Sequence, residues 1–169
     1  MIDSLGSHSP LQSQNPLRQV AIVGSGLAGL VAATELRSLG VTATLFEKSR
    51  GPGGRMAAKR LPEPANGSAD IGAQYFTVRN PAFGEFLQEH AGSDCWGEWQ
   101  GRFRYQDHKG VWQDMRPAQR YVGIPRMSAI TRAISRGLDL RTGIRIASLQ
   151  RDDHGLWQLT DTDGGVHGG

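Results

Sequence analysis

The sequence predicts an α/β fold that begins with a strand, a glycine-rich turn and a helix. The apolar run Gln19–Val23 predicts the first strand, and the turn GSGLAG follows it directly. Residues 27–39 are helix formers with apolar side chains at helical spacing, and Gly40 stands where a C-terminal cap is expected. A second apolar run at 41–46 predicts a strand that ends at Glu47. These elements together predict a βαβ unit.

The turn between the first strand and the helix carries the spacing GxGxxG at Gly24, Gly26 and Gly29. In a dinucleotide-binding turn the first glycine permits the tight turn, the second admits a pyrophosphate, and the third lets helix and strand pack closely. The free N–H groups of the helix N-terminus favour phosphate binding there. Glu47, 18 residues after Gly29, is placed to accept hydrogen bonds from ribose hydroxyls. The alternative interpretation is a structural turn without a ligand.

A second glycine cluster follows Glu47 in the stretch EKSRGPGGRM. An NAD-dependent dehydrogenase would continue here with an ordinary crossover helix. Instead, Gly53 and Gly54 bring backbone without side chains towards a pyrophosphate, and Arg55 offers a guanidinium to a phosphate. This arrangement resembles the GG-doublet flavoproteins, which include the flavin amine oxidases. A plain surface turn is the alternative for this cluster.

Three motifs in the same order sharpen the resemblance: GSGLAG, FEKSRGPGGRM and DIGAQYFT. Together they resemble the renalase family, in particular its bacterial members. The later stretches VGIPRMSAITRAI and RTGIRIASLQRDDHGLWQLTDTDG are also similar to that family, so the resemblance extends from Gln19 to the end of the sequence. Gly51 departs from the arginine that amine oxidases often carry before the doublet, although Arg50 is its neighbour.

The resemblance implies a Rossmann-like FAD-binding fold of the GG-doublet type, together with part of a second α+β substrate domain. It implies FAD as cofactor and oxidation of isomeric dihydro-NAD(P), with hydride transfer to the flavin and reduction of O2 to H2O2. Amine oxidation is the alternative activity. The candidate cofactor-binding residues are Gly24, Ser25, Gly26, Leu27, Ala28, Gly29, Glu47, Lys48, Gly54, Arg55, Met56, Gly72, Ala73, Gln74, Tyr75 and Ile146.

The sequence identifies no catalytic residue and no metal site, as suits a reaction carried by a flavin. The five histidines lack ligand spacing, and we expect them at the surface. Gln74 and Tyr75 are the best candidates to face the flavin ring. Cys95, Trp96 and Trp99 either line an apolar pocket or, as is more usual for such a cluster, belong to the core.

The composition indicates the compartment in which the protein is expected. Its single cysteine cannot form an internal disulfide, so a reducing, cytoplasmic compartment is expected. No apolar stretch approaches the length of a membrane span.

Ten basic and three acidic residues lie between Arg102 and Arg145. This basic segment suits a phosphate-bearing small molecule or is simply a solvated face. No nucleic-acid-binding pattern accompanies it. The oligomeric state is left open.

The predicted organisation has four parts. Residues 1–18 are expected to form a disordered extension, and 19–72 the first segment of the FAD-binding domain. Residues 73–126 are expected to enter the substrate domain, and 127–169 to return to the FAD-binding domain with a helix and strands. The strands and cofactor contacts that complete such proteins are absent after Gly169, so we expect the sequence to be the N-terminal portion of a longer protein. A non-catalytic fragment that at most binds nucleotide is therefore a further alternative.

Overall fold

The computed structural model describes residues 19–63 and 67–168, and the predicted extension therefore lies outside the described residues. The helices and strands, numbered in chain order, are β1 Gln19–Val23, α1 Leu27–Ser38, β2 Thr42–Glu47, β3 Ala58–Arg60, β4 Ser68–Asp70, α2 Pro81–His90, β5 Trp96–Glu98, β6 Arg104–Gln106, β7 Trp112–Asp114, β8 Tyr121–Gly123, α3 Ser128–Ile134, β9 Asp139–Thr142, β10 Ile146–Arg151, β11 Trp157–Asp161 and β12 Val166–Gly168.

A parallel three-stranded sheet forms the base of the fold, in the order β1-β2-β9. β1 and β2 pair in register from Gln19 with Thr42 to Val23 with Phe46, and α1 crosses between them. Gly40, with a φ of 74°, ends the helix as its position predicts. The predicted βαβ unit is therefore confirmed, and it places the loops after β1 and β2 at the same edge of the sheet.

One hydrophobic core joins the sheet to all three helices. Its fully buried members include Leu30 of α1, Leu45 of β2, Leu87 of α2 and Ile130 of α3. The sequence analysis did not predict α2. Its start nevertheless carries a recognisable signal, because the Asn80 side chain accepts a hydrogen bond from the Ala82 amide and proline occupies the first turn.

The stretch between β2 and α3 is built from short antiparallel pairs, β3 with β4, β5 with β8, and β6 with β7. Phe76 joins β8 through two hydrogen bonds with Tyr121, each 2.9 Å long. Asp70, at the end of β4, accepts a hydrogen bond of 3.0 Å from the Met127 amide at the start of α3. These contacts attach the stretch to the parallel sheet and its helices.

The last three strands form a separate antiparallel sheet, in the order β10-β11-β12. The predicted hairpin is confirmed, and Asp152 makes its turn by accepting hydrogen bonds from the amides of His154 and Leu156. Within the described part of the chain, no helix has both the length and the hydrophobicity to cross a membrane.

Candidate functional site

The two glycine-rich loops meet at the carboxyl edge of the parallel sheet. Gly26 and Gly53 form a β-bridge, and the Gly53 amide donates a 3.1 Å hydrogen bond to the Ser25 carbonyl. A Cβ atom at Gly54 would lie 3.0 Å from the Gly26 Cα atom. The approach of the loops therefore favours glycine at Gly54, and the second cluster packs on the first loop rather than forming a separate surface turn.

The first glycine loop has the strained and close-packed geometry that its motif predicts. Gly24 has a φ of 101°, a conformation that side chains disfavour, and its added Cβ would meet no atom within 4 Å. A Cβ at Gly29, in contrast, would overlap the Gly24 carbonyl oxygen. Space is thus open beside the first glycine, where a ligand would approach, and closed at the third, where the helix packs.

The N-terminus of α1 offers backbone donors that have no partner among the described residues. Gly26 is the N-cap and has no side chain that could satisfy the first amides of the helix, those of Leu27, Ala28 and Gly29. Their N–H groups and the positive end of the helix dipole favour an anion. A dinucleotide pyrophosphate fits this geometry.

Glu47 ends β2 with a carboxylate that is only 6% exposed. One oxygen accepts hydrogen bonds of 2.9 Å from both the amide and the hydroxyl of Ser25, and the other accepts one of 2.9 Å from the Ser49 amide. Burial acts to raise the pKa of Glu47, but these hydrogen bonds outweigh it and hold the pKa below its ordinary value. The carboxylate is therefore ionised and fixed in place, and one lone pair, on the oxygen that faces Ser49, is left for a ribose hydroxyl.

The Ser25–Glu47 contact was not identified from the sequence. Ser25 was a candidate only as a member of the glycine turn, whereas it is fully buried and directs both its donors at the carboxylate. A serine between the first two glycines, with an acid at the end of the second strand, is the signal that could have indicated this contact.

The start of the C-terminal segment closes over the same edge of the sheet. The Gly143 amide donates a 3.1 Å hydrogen bond to the Ser49 carbonyl, and the Ile144 amide donates a 3.0 Å hydrogen bond to the Glu47 carbonyl. Ile146, at the start of β10, is two residues further on and half-buried. The structure therefore brings the neighbourhood of Ile146 close to Glu47, and Lys48 lies exposed between Glu47 and Ser49.

Arg55 lies on the second glycine loop, within the 3₁₀ turn Gly54–Met56. Arg55 is exposed, and among the described residues no carboxylate pairs with its guanidinium. Its carbonyl accepts a 2.7 Å hydrogen bond from the Ala73 amide, and a Cβ at Gly72 would overlap that carbonyl. The side chain of Met56 points into the hydrophobic core, so it does not line the loop surface.

Gln74 and Tyr75 follow the Gly72–Ala73 contact and lead away from the glycine loops. Gln74 is exposed, and Tyr75 is half-buried with its ring 6.3 Å from that of Trp99. Cys95 and Trp96 pack against the core, whereas Trp99 is 42% exposed. Cys95 and Trp96 therefore belong to the core, which was one of the two interpretations of this cluster. Trp99 lines a pocket, which was the other.

The expectation that every histidine is at the surface is wrong for two of them. His90 and His167 are half-buried, and His167 Nε2 lies 2.8 Å from the Asp161 carboxylate with its ring against Phe46. The periodicity of one strand does not reveal the contact between His167 and Phe46, because that contact depends on how β12 packs against β2. His8 lies outside the described residues. In the described part of the chain, no group of three or more His, Cys, Asp or Glu side chains could hold a metal ion.

Comparison with known proteins agrees with this geometry. Residues 22–90 match the family model of the NAD(P)-binding Rossmann-like domain. The chain is 34% identical over 106 residues to the flavin-containing monooxygenase FMO GS-OX-like 6 of Arabidopsis thaliana. The aligned region covers 56% of this chain and 22% of that protein. It is 37% identical over 73 residues to protoporphyrinogen oxidase 2 of the same plant, covering 43% of this chain and 14% of that protein.

Solved structures share the fold at low sequence identity. A putrescine oxidase variant superposes with a TM-score of 0.67 at 13% identity, over 89% of this chain and 56% of that one. The 2,6-dihydroxypyridine-3-hydroxylase of Arthrobacter nicotinovorans superposes with a TM-score of 0.58 at 18% identity, over 92% and 36% of the two chains. The chain thus spans about half or less of these proteins, and less than a quarter of its curated relatives.

The fold and the glycine loops define a class, that of proteins with a Rossmann-like fold. Within that class, the chain has the fold of the FAD-binding flavoproteins, and part of its length is similar in sequence to the monooxygenase and the oxidase named above.

Proposed function

We propose that the chain is the cofactor-binding part of an FAD-dependent oxidoreductase. The observation that carries the proposal is the meeting of two glycine loops, Gly24–Gly29 and Gly51–Gly54, beside an uncapped helix N-terminus and a buried carboxylate. A single loop would suit any Rossmann protein, whereas a second loop folded onto the first is what the GG-doublet resemblance implies for FAD. Relatives named as a flavin-containing monooxygenase and a protoporphyrinogen oxidase support the choice of cofactor.

Different residues of the site would bind different parts of FAD. The amides of Leu27, Ala28 and Gly29 receive the pyrophosphate, and Glu47 accepts a hydrogen bond from a ribose hydroxyl. Arg55 contributes the charge that an extended pyrophosphate needs, since the described residues give it no other partner. The chemistry that FAD supplies is acceptance of hydride from a substrate, followed by two-electron reduction of O2 to H2O2.

We further propose that the substrate is an isomeric dihydro-NAD(P), as in the renalase family. The proposal is supported by the motif resemblance from Gln19 onward and by the basic segment between Arg102 and Arg145. Amine oxidation is the second candidate, because the putrescine oxidase structure superposes over 89% of the chain. A fragment that at most binds nucleotide is the third, because the chain spans only 8% to 22% of the length of its curated relatives.

An absorbance spectrum after gel filtration tests the cofactor. Flavin bands that co-elute with the protein, and FAD released from it on denaturation, would support the proposal. A colourless protein that takes up no added FAD would refute it in favour of the fragment. H2O2 production with 2- and 6-dihydro-NAD(P) isomers, compared with putrescine and other amines, then tests the substrate. Turnover of amines alone would overturn the dihydronicotinamide assignment.

A further inference from the structure

A buried cation packs against Tyr75, one of the candidate cofactor residues, and no carboxylate in the described part of the chain pairs with it. Arg120, which directly precedes β8, is only 6% exposed. Its guanidinium carbon lies 4.5 Å from the centroid of the Phe103 ring and 5.4 Å from that of Tyr75. The carbonyl of Arg120 accepts a 2.7 Å hydrogen bond from the Trp99 amide, which fixes this position beside β5. The aromatic faces therefore surround a fixed charge.

The polar partners of this guanidinium do not neutralise it. Nη1 donates a 3.1 Å hydrogen bond to the Ala118 carbonyl, and Nη2 donates a 3.4 Å hydrogen bond to the Arg116 carbonyl. Nε is buried and has no hydrogen-bond partner among the residues that the structure describes. No carboxylate of the described residues forms an ion pair with Arg120. A buried charge with neither counter-ion nor full hydrogen bonding is costly, and an incoming anion would relieve that cost.

Arg120 lines an open pocket of about 680 Å³. The aromatic rings of Trp99 and Phe103 contribute to its wall, and they meet edge to face with centroids 4.9 Å apart. Asp114 also lines the pocket, but its carboxylate already pairs with Arg102 at 2.9 Å and Arg104 at 3.2 Å. Glu98 lines the pocket too, and among the described residues it forms no ion pair with Arg120. Neither acid therefore neutralises the buried charge of Arg120, and the wall offers planar apolar surface beside it.

The pocket is connected to the glycine loops but does not share their residues. None of its lining residues is a candidate cofactor contact. Tyr75, which packs on Arg120, is two residues from Ala73, whose amide is bonded to the Arg55 carbonyl. Arg120 therefore links the pocket, through the ring of Tyr75, to the segment that is bonded to the second glycine loop.

We propose that this pocket binds the anionic group, a carboxylate or a phosphate, of a planar organic ligand. Arg120 supplies the charge, exchanging the carbonyls of Arg116 and Ala118 for the anion, and Trp99 and Phe103 supply the stacking surface. That this ligand is the substrate rests on the function proposed above, whereas the binding itself does not.

Isothermal titration with matched pairs of probes tests the binding. Benzoate is compared with its neutral counterpart benzamide, and phenyl phosphate with phenol. We expect the anion of at least one pair to bind about tenfold or more tightly than its neutral partner, because only the anion can form a charge-assisted contact with Arg120. The better pair identifies carboxylate or phosphate as the preferred group. Equal affinity for both members of both pairs would overturn the proposal.

Two variants locate the effect. Arg120→Met keeps the length of the side chain and removes the charge, so the preference for the anion should fall to about twofold or less. Arg132→Met removes an exposed arginine of α3 that does not line the pocket, and it should leave the preference unchanged. A preference that persists in Arg120→Met, or that is lost equally in Arg132→Met, would contradict the assignment.

A crystal structure of the unsubstituted chain with 4-bromobenzoate tests the same site without relying on the folding of a variant. Anomalous scattering from bromine should place the carboxylate within hydrogen-bonding distance of Arg120, and a bromobenzoate bound only elsewhere would refute the site. FAD content measured on the same protein separates the two proposals. A colourless protein that still prefers the anion would refute only the flavin function, and a flavin-loaded protein without the preference would refute only the pocket.

Discussion

Replacement of Glu47 by alanine should be among the most damaging single changes to the fold. The carboxylate is 6% exposed and accepts three hydrogen bonds of 2.9 Å, two from Ser25 and one from Ser49. Alanine removes every acceptor at once. Because Ser25 is fully buried, its amide and hydroxyl would lose their partner without gaining water. The exposed Ser49 amide can be solvated and should contribute little.

The expected loss in the free energy of unfolding follows from the two donors of Ser25 that lose their acceptor. A buried donor without a partner costs about 1–3 kcal/mol, so the two donors of Ser25 together predict a loss of about 2–6 kcal/mol. Glu47→Gln should cost less, about 1–2 kcal/mol, because the amide oxygen can take the place of the carboxylate oxygen that accepts both bonds from Ser25, so only the bond from Ser49 and the negative charge are lost. Glu47→Ala should also weaken FAD retention, since the first glycine loop loses the contact that holds it to β2.

Urea unfolding followed by tryptophan fluorescence measures these losses. Glu35→Ala is the matched control, because Glu35 is exposed on α1 and its carboxylate takes part in no hydrogen bond of the described residues. We expect that control to change the free energy of unfolding by less than about 0.5 kcal/mol. If Glu47→Ala proved as mild as Glu35→Ala, the carboxylate would not hold the loop and the reasoning would fail.

The pH dependence of the same comparison has a definite sign. The pKa of Glu47 in the folded chain is lowered from its ordinary 4.5, so the folded state favours the ionised form. The contribution of Glu47 to stability is therefore fully present above 4.5 and is lost as the pH falls through the lowered value. The difference between the wild-type chain and Glu47→Gln should accordingly be largest near neutral pH and shrink in acid. A difference that grows on acidification would contradict this.

Three further predictions concern other parts of the fold and site. Gly29→Ala should destabilise the chain by about 1–3 kcal/mol in urea unfolding, because its Cβ overlaps the Gly24 carbonyl oxygen; an unchanged midpoint would refute the close packing. Arg55→Ala should lower the FAD content after gel filtration while leaving the far-ultraviolet circular dichroism unchanged, and undiminished FAD would show that the guanidinium points elsewhere. The hydrogen bond from His167 lowers the pKa of Asp161, so His167→Phe should raise that pKa towards 3.8 in a carboxyl NMR titration; an unmoved pKa would refute the contact.

The elements that the sequence predicted correctly are those with a local cause. The apolar runs at β1 and β2, the helical spacing of α1 and the cap at Gly40 each depend on neighbouring residues, and the structure has them within one residue. The β10–β11 hairpin follows the same logic, since its turn is made by the side chain of Asp152.

The features that escaped prediction depend on residues far apart in the chain. Arg120 was counted only as part of a basic segment, yet folding buries it against Tyr75 and Phe103. His167 was expected at the surface, yet β12 carries it onto Phe46. Charge and periodicity along the sequence say how polar a residue is, and they do not say which distant ring or carboxylate it will meet.

The position of α2 bears on how the chain loses its structure. Its Leu87 is fully buried in the same cluster as Leu30 of α1 and Ile130 of α3, although the sequence places α2 within the segment expected to enter the substrate domain. A helix that shares a core cannot melt without exposing its neighbours. The backbone amides of α1, α2 and α3 should therefore exchange with solvent in one cooperative unit, and the first glycine loop, which leads into α1, should lose its shape together with them.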